Sequence, residues 1–293
     1  MQFAIPFPDF DPALFTIPIV DFPIRWYALA YIAGLLLGWR YVMLMISRNK
    51  LWAGGKPPLT KPQVEDLLTW MVIGVVLGGR LGYTLIYNSD YYFENPVEIF
   101  KVWKGGMAFH GGFVGVIVGI LLFSWRHKAN ALSVGDMVAA AAPLGIFFGR
   151  LANFINGELW GRPTEVSWGV IFTDPAAQIC PETWGEVCAR HPSQLYQAAL
   201  EGLLLFIILA FCVWVLGWLK HPGRIIGLFF AGYGLARFVV ENFRQADAQF
   251  ITADNPWGHV VQLGSEIGLT MGQVLSLPML IIGVVILWMT RAK

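Results

Sequence analysis

GDMVAAAAPLGIFFGRLANFINGELWG, residues 135–161, decides the fold. Its first part, 135–155, is apolar and long enough to cross a bilayer, which takes about 20 residues. It is not an ordinary span, because Arg150, Asn153, Asn156 and Glu158 crowd one end of it. A charge in a lipid-buried helix costs about 2.5–3.5 kcal/mol on insertion scales, so the first reading of such a group is functional. A single arginine near a helix end can instead snorkel to the interface. Four polar groups within nine residues are not explained that way.

The rest of the chain agrees with a membrane setting. Of 293 residues, 56% are hydrophobic and 13% charged. Thirteen Trp and 32 Gly fit interfacial anchoring and close helix packing. A net charge of +1 gives no sign of nucleic-acid binding. The start of the chain is acidic and aromatic, so no cleavable signal peptide is expected.

Seven apolar stretches are long enough to span: 26–46, 65–87, 109–125, 135–155, 195–218, 225–241 and 272–290. Ten basic residues fall in one set of connections: Arg48, Lys50, Lys56, Lys61, Arg126, Lys128, Lys220, Arg224, Arg291 and Lys293. The other set holds six, Arg25, Lys101, Lys104, Arg162, Arg190 and Arg244, with most of the acids, from Asp9 and Asp11 to Glu266. The first set is therefore cytoplasmic. The sequence predicts an all-α polytopic membrane protein of about seven transmembrane helices, N-terminus outside and C-terminus cytoplasmic. Residues 1–293 form a single integral membrane domain on this reading.

The outer connections are the longer ones. Residues 88–108 and 242–271 read as segments lying on the membrane surface. Residues 156–194 are the largest outer piece, and VSWGVIFTD (166–174) reads as a strand by its Val, Trp, Ile and Phe content. A small extracytoplasmic cap is expected there. It contains Cys180 and Cys188, which an oxidising compartment would join, the alternative being two free thiols. Cys212 is mid-span and packs as a small apolar residue. No metal site is implied, because the five His are scattered.

With this orientation the intramembrane polar residues gather at one depth. Arg80, Tyr83 and Tyr87 form a stripe on the second span, and Tyr233, Arg237 and Glu241 on the sixth. His110 enters with the third span, Glu201 with the fifth, and Trp26, Tyr27 and Tyr31 begin the first. All fall in the outer half of the bilayer. Three arginines at that depth suit an anionic group, since a guanidinium binds phosphate bidentately. The alternative is a set of buried ion pairs, such as Arg237 with Glu241, holding a bundle together.

GRLANFINGELWG (149–161) resembles the signature of the bacterial prolipoprotein diacylglyceryl transferases, with Ala152 at a position where that pattern allows Gly or Ala. GGMAFHGG (105–112), GGRLGYTLIYN (78–88), RHPSQLYQ (190–197) and GYGLARFVVENFRQAD (232–247) resemble other blocks of that family. Cys180 and Cys188 are not part of the family pattern.

The resemblance implies an enzyme of the bacterial inner membrane with its active site facing the outer leaflet. It would move the diacylglyceryl group of phosphatidylglycerol onto the thiol of a lipobox cysteine in a prolipoprotein, the first step of lipoprotein maturation. The other product would be glycerol 1-phosphate, and no cofactor is implied. The family's essential residues fall on His110, Arg150 and Arg237. Arg150 and Arg237 are assigned to the phosphate. His110 is either the base for the substrate thiol or a structural residue orienting its Gly-rich loop. Tyr27, Asn153, Asn156, Glu158, Gly161, Tyr233, Glu241 and Arg244 are candidate substrate-binding residues. Arg80 and Tyr83 either bind the headgroup or stabilise the bundle.

A transporter or flippase of an anionic lipid would share an arginine-lined cavity. It would also need access to the inner face, and the cytoplasmic half of the spans is apolar. The chain carries no visible internal repeat of the kind transporters use.

Overall fold

The computed structural model describes residues 4–8, 10–19, 21–180, 185–252, 254–264 and 267–291. Asp9, Glu266 and Lys293, used above to weigh charge, lie outside them. Short strands β1 (Ile5–Pro6), β2 (Ala13–Ile17) and β3 (Phe22–Arg25) precede helix α1 (Trp26–Ile46). Helices α2 (Lys61–Gly82), α3 (Ser89–Glu94), α4 (Phe109–His127) and α5 (Ala131–Ile155) follow, then β4 (Val170–Ile171). Helices α6 (Ser193–Gln197), α7 (Leu205–Trp214) and α8 (Arg224–Val240), the pair β5 (His259–Gln262) and β6 (Gly268–Thr270), and α9 (Met271–Arg291) complete the chain.

Six helical stretches are long and apolar enough to cross a membrane: Trp26–Ile46, Lys61–Tyr87, Phe109–His127, Ala131–Ile155, Ser193–Trp214 and Met271–Arg291. Leu35, Leu36, Leu77, Leu121, Ile207 and Ile282 are about half exposed on them, as side chains facing lipid are. The protein is therefore a mostly helical, multi-pass membrane protein. Helix α8 has 17 residues and carries two arginines.

The chain divides into two compact units, residues 1–41, 139–218 and 223–293 in one, 42–138 and 219–222 in the other. In the smaller unit α2 packs on α4 through glycines four apart, Gly74, Gly78 and Gly82 against Gly111, Gly115 and Gly119. A Cβ on Gly82 would sit 2.8 Å from the Gly111 Cα, and one on Gly119 2.9 Å from the Trp70 carbonyl. Without side chains between them the backbones meet, which is how helices associate when lipid removes the hydrophobic drive. Helix α2 starts at a Thr60–Gln63 capping box, with the Thr60 amide donating to Gln63 Oε1 at 2.9 Å. It ends in a wider π turn, Tyr83–Tyr87.

In the larger unit α1 and α5 approach through Gly34, whose added Cβ would lie 2.9 Å from the Gly145 Cα. Gly202 similarly lets the α6–α7 segment lie on Phe147 of α5, where a Cβ would meet the Phe147 Cβ at 2.7 Å. Between α6 and α7 the backbone passes through seven residues of π-helix, Ala198–Leu204. Such wide turns are rare and concentrate at functional sites.

Within residues 156–194 the strand expected over 166–174 is only β4, two residues long, paired in parallel with β1. β-rich composition alone does not supply a partner long enough to extend a ladder. Order comes instead from a small core of Val170, Phe172 and Ala177 with Phe7, Phe154 and Trp160. Arg190 also stitches the segment together. It stacks on Trp160 at 4.2 Å and donates to the carbonyls of Ala177, Gly161 and Ile179 and to Gln245 Oε1. Burial pushes its guanidinium pKa down to about 10. Cys180 and Cys188 form a disulfide, and Cys212 is free and buried.

Candidate functional site

The larger unit brings most of the expected site residues together. Arg150 lies near the end of α5, Glu201 in the π turn, and Arg237 on α8. Glu201 is fully buried. Its Oε2 lies 4.0 Å from Arg150 Nε and its Oε1 3.9 Å from Arg237 Nη1. Both contacts are ionic but too long for hydrogen bonds.

Arg237 also donates from Nη2 to Glu241 Oε2 at 2.9 Å, one turn along α8. Arg244 reaches the same oxygen at 3.2 Å. So the Arg237–Glu241 pair, anticipated above as the structural alternative, is present. Glu241 is pressed by the first turn of α9, which leaves no space for a Cβ on Gly272. Burial, then the charge of Arg237, lowers the pKa of Arg244, while Glu241 opposes this.

Arg150 is braced differently. Its Nη1 donates to Asn153 Oδ1 at 3.3 Å, and its charge acts on Tyr233 of α8. Asn153 Nδ2 donates to Glu158 Oε1 at 2.7 Å, and Asn156 reaches that oxygen at 3.4 Å. This explains the spacing in the signature. After α5 ends, Gly157 takes a left-handed φ of 65° and returns Glu158 to the two asparagines. The Arg150 guanidinium is thus aimed by amide groups, with the Glu201 carboxylate facing it at 4.0 Å. Tyr27 shares a hydrogen bond with the Tyr31 hydroxyl at 3.1 Å.

Gly161 is a backbone position. Its amide donates to the His191 carbonyl at 2.8 Å, and a Cβ there would meet that oxygen at 2.6 Å. The next residue, Arg162, donates from Nε to the Arg244 carbonyl at 2.8 Å and stacks on Trp257. Burial lowers the pKa of Arg162 and of His191.

The smaller unit holds Arg80, Tyr83 and His110. Arg80 is 3% exposed. It donates to the carbonyls of Ile99 at 2.8 Å, Gly105 at 2.5 Å, Gly106 at 3.2 Å and Glu98 at 2.6 Å, and lies over the Tyr92 ring. Gly105 and Gly106 have φ of 81° and 78°. Tyr83 covers Gly106 so closely that a Cβ would sit 2.5 Å from its ring. Hydrogen bonds from Lys101 and Lys104 hold the Glu98 carboxyl below the usual carboxylate range. The loop 98–106 is therefore clamped onto the end of α2, and the Ala108 amide donates to the Gly79 carbonyl at 2.9 Å. Two residues later His110 stands exposed on the first turn of α4.

Three buried side chains were not counted as site residues from sequence. Gln194, Gln197 and Glu201 are fully buried, and Glu201 sits between the two arginines. The signal was available in part, as polar residues at i, i+3 and i+7 along an otherwise apolar span.

Half-buried arginines held by amides and carboxylates among apolar helices define a multi-pass membrane protein with a cationic site. The family model of the prolipoprotein diacylglyceryl transferases matches residues 12–289, and the chain belongs to that family. Proteins named phosphatidylglycerol–prolipoprotein diacylglyceryl transferase are similar along their whole length. That of Cereibacter sphaeroides is 55% identical over 291 residues, 99% of this chain and 98% of that protein. That of Ruegeria pomeroyi is 55% identical over 294 residues, covering 100% and 99%. That of Caulobacter vibrioides is 44% identical over 298 residues, covering 96% and 94%.

Proposed function

We infer that this chain transfers the diacylglyceryl group of phosphatidylglycerol to the thiol of a lipobox cysteine in prolipoproteins, releasing glycerol 1-phosphate. It is a transferase of lipoprotein maturation, and its relatives carry that activity in their names. The observation that carries the site is the convergence of Arg150 and Arg237 on Glu201, at 4.0 and 3.9 Å. Both guanidiniums face Glu201 at more than hydrogen-bond distance, while Glu241 fixes Arg237 from one side at 2.9 Å.

The chemistry is a displacement at carbon. The substrate thiolate attacks the glycerol carbon that carries the phosphate ester, a C–S bond forms, and the C–O bond breaks with its electron pair left on the phosphate oxygen. Charge grows on that oxygen, so fixed cations aimed at it lower the barrier. Arg150 and Arg237 take this role, with Asn153, Asn156 and Glu158 orienting Arg150, and Glu241 with Arg244 orienting Arg237. Tyr233 supports Arg150, and Tyr27 lines the lipid side. Gly161 lets the chain after Glu158 pass under the His191 carbonyl. The family resemblance assigns the thiol proton to His110, as a side chain able to carry a proton. Arg80 and Tyr83 hold the loop that presents His110, a reading that four carbonyl bonds to Arg80 favour over headgroup binding.

In the same reading α8 is a seventh span, shortened by ending at the arginine site. The N-terminus lies outside, the C-terminus in the cytoplasm, and residues 156–194 cap the outer face. The site opens to the outer leaflet of the bacterial inner membrane, and the whole chain is one integral membrane domain. The test is mass spectrometry of a lipobox peptide incubated with the purified protein and phosphatidylglycerol. A diacylglyceryl increment on the cysteine is expected, and an unmodified peptide would contradict the assignment.

A further inference from the structure

We propose that Gln194, Gln197 and Glu201 form the subsite that reads the hydroxyl groups of the lipid's glycerol headgroup, and so select the lipid that is used. The proposal rests on the transfer reading above and adds to it the part of the substrate beyond the phosphate.

All three side chains are fully buried. Six buried side-chain polar atoms lack a hydrogen-bond partner among the described residues, and five of them belong to this trio. They are Gln194 Oε1, both amide atoms of Gln197 and both carboxylate oxygens of Glu201. Buried polar groups are almost always hydrogen-bonded, and although the Glu201 oxygens are ion-paired at about 4 Å, all five atoms keep hydrogen-bonding capacity for a common partner. Positions 194, 197 and 201 follow one face of the helix through α6 and into the π turn. Gln194 is anchored from its other end, where Nε2 donates to the Glu158 carbonyl at 2.6 Å. That bond fixes the amide so that its oxygen is the free atom.

The chemistry of the partner follows from counting roles. Gln194 Oε1, Gln197 Oε1 and the two Glu201 oxygens are acceptors, and only Gln197 Nε2 donates. The partner must therefore bring several donors and at least one acceptor. A cationic ammonium brings donors, but Arg150 and Arg237 lie about 4 Å from the Glu201 oxygens and repel it. A second phosphate brings only acceptors. Neighbouring hydroxyls bring both roles and no charge. With the phosphate on the arginines, the hydroxyls of a glycerol headgroup lie a few bonds further, toward Glu201 and the helix face it shares with Gln197 and Gln194. A site built to hydrogen-bond hydroxyls rejects an analogue without them strongly, because its own buried groups are then left unpaired.

The test uses the purified full chain in zwitterionic detergent micelles with a lipobox peptide. Two lipids compete, phosphatidylglycerol and phosphatidylpropanol, the second having the same phosphodiester and no headgroup hydroxyl. The readout is the ratio of kcat/KM for the two. The unmodified protein should prefer phosphatidylglycerol by on the order of 10²-fold or more. Gln197→Leu should shrink that ratio at least about tenfold, mainly by losing rate on phosphatidylglycerol, and Gln197→Met is a second apolar variant should the first fail to fold. Gln194→Leu should shrink it in the same sense. A merely structural role would lower both substrates together and leave the ratio unchanged, which would overturn the proposal. So would a ratio near one in the unmodified protein. If neither lipid gives product, the transfer reading itself falls and takes this proposal with it.

Discussion

Arg237 Nη2 is joined at 2.9 Å to Glu241, one turn on at the end of α8, yet Nη1 of the same guanidinium stays 3.9 Å from Glu201. One nitrogen of the planar group is fixed by hydrogen bonding, and in the proposed transfer the other serves an oxygen of the substrate. Lysine keeps the charge but not this fork. Arg237→Lys and Arg150→Lys should therefore each reduce the transfer rate by on the order of 10²–10³, with the fold retained. Initial rates on purified variants of unchanged melting temperature check this, and a lysine variant within a few-fold of the parent would contradict it.

Arg80 should behave differently. Its four carbonyl bonds to 98–106 make it a clamp on the loop before His110. Arg80→Gln removes the charged donor from four loop carbonyls, a loss on the order of 1–3 kcal/mol. Limited proteolysis should then cut within 98–106 faster, and rate should fall in step with that opening. Gly106→Ala should do the same, because its φ is 78° and the Tyr83 ring occupies the space. A resistant loop with lost activity would place Arg80 on the substrate instead.

His110→Gln keeps size and hydrogen bonding but cannot carry the thiol proton. A thiol ionises unaided near its ordinary pKa of about 8.5. The rate of this variant should recover in part between about pH 7 and pH 9.5, while the arginine variants should not. Equal loss at both ends of that range would make His110 a positioning residue.

Orientation is checked by labelling. Single cysteines replacing Lys56 or Lys128 should be shielded from an impermeant thiol reagent in intact cells. One replacing the exposed Glu165 should be labelled. Labelling of Lys56→Cys before lysis would reverse the orientation.

Six of the seven expected spans were legible because an apolar run of about 20 residues has one dominant meaning, and the ends of α4, α5 and α9 fall within a few residues of those runs, whereas 225–241 is not among the six helices long and apolar enough to cross. The arginine positions were legible for the complementary reason, that charge is conspicuous in such a run. The Arg237–Glu241 pair followed from i, i+4 spacing. What a sequence hides is the partner without a side chain. Arg80 bonds to four backbone carbonyls, and no residue type announces a carbonyl. Residues 166–174 misled for a related reason, since strand length depends on a partner, and β1 offers two residues. Glu201 was visible as a charge but not as the point on which two helices aim their arginines. Gln194 and Gln197 were passed over because neutral amides stand out less than charges in an apolar span.

The central claim is that a thiol displaces glycerol 1-phosphate at the arginine site. The most direct measurement is phosphorus NMR of the reaction of purified protein, phosphatidylglycerol and a lipobox peptide, run beside the Arg150→Lys variant. The account predicts one glycerol 1-phosphate released per lipidated peptide, with the signal growing on the order of 10²–10³ more slowly in the variant. Release of lysophosphatidylglycerol in place of glycerol 1-phosphate would mean that an acyl chain had moved, and would contradict the account.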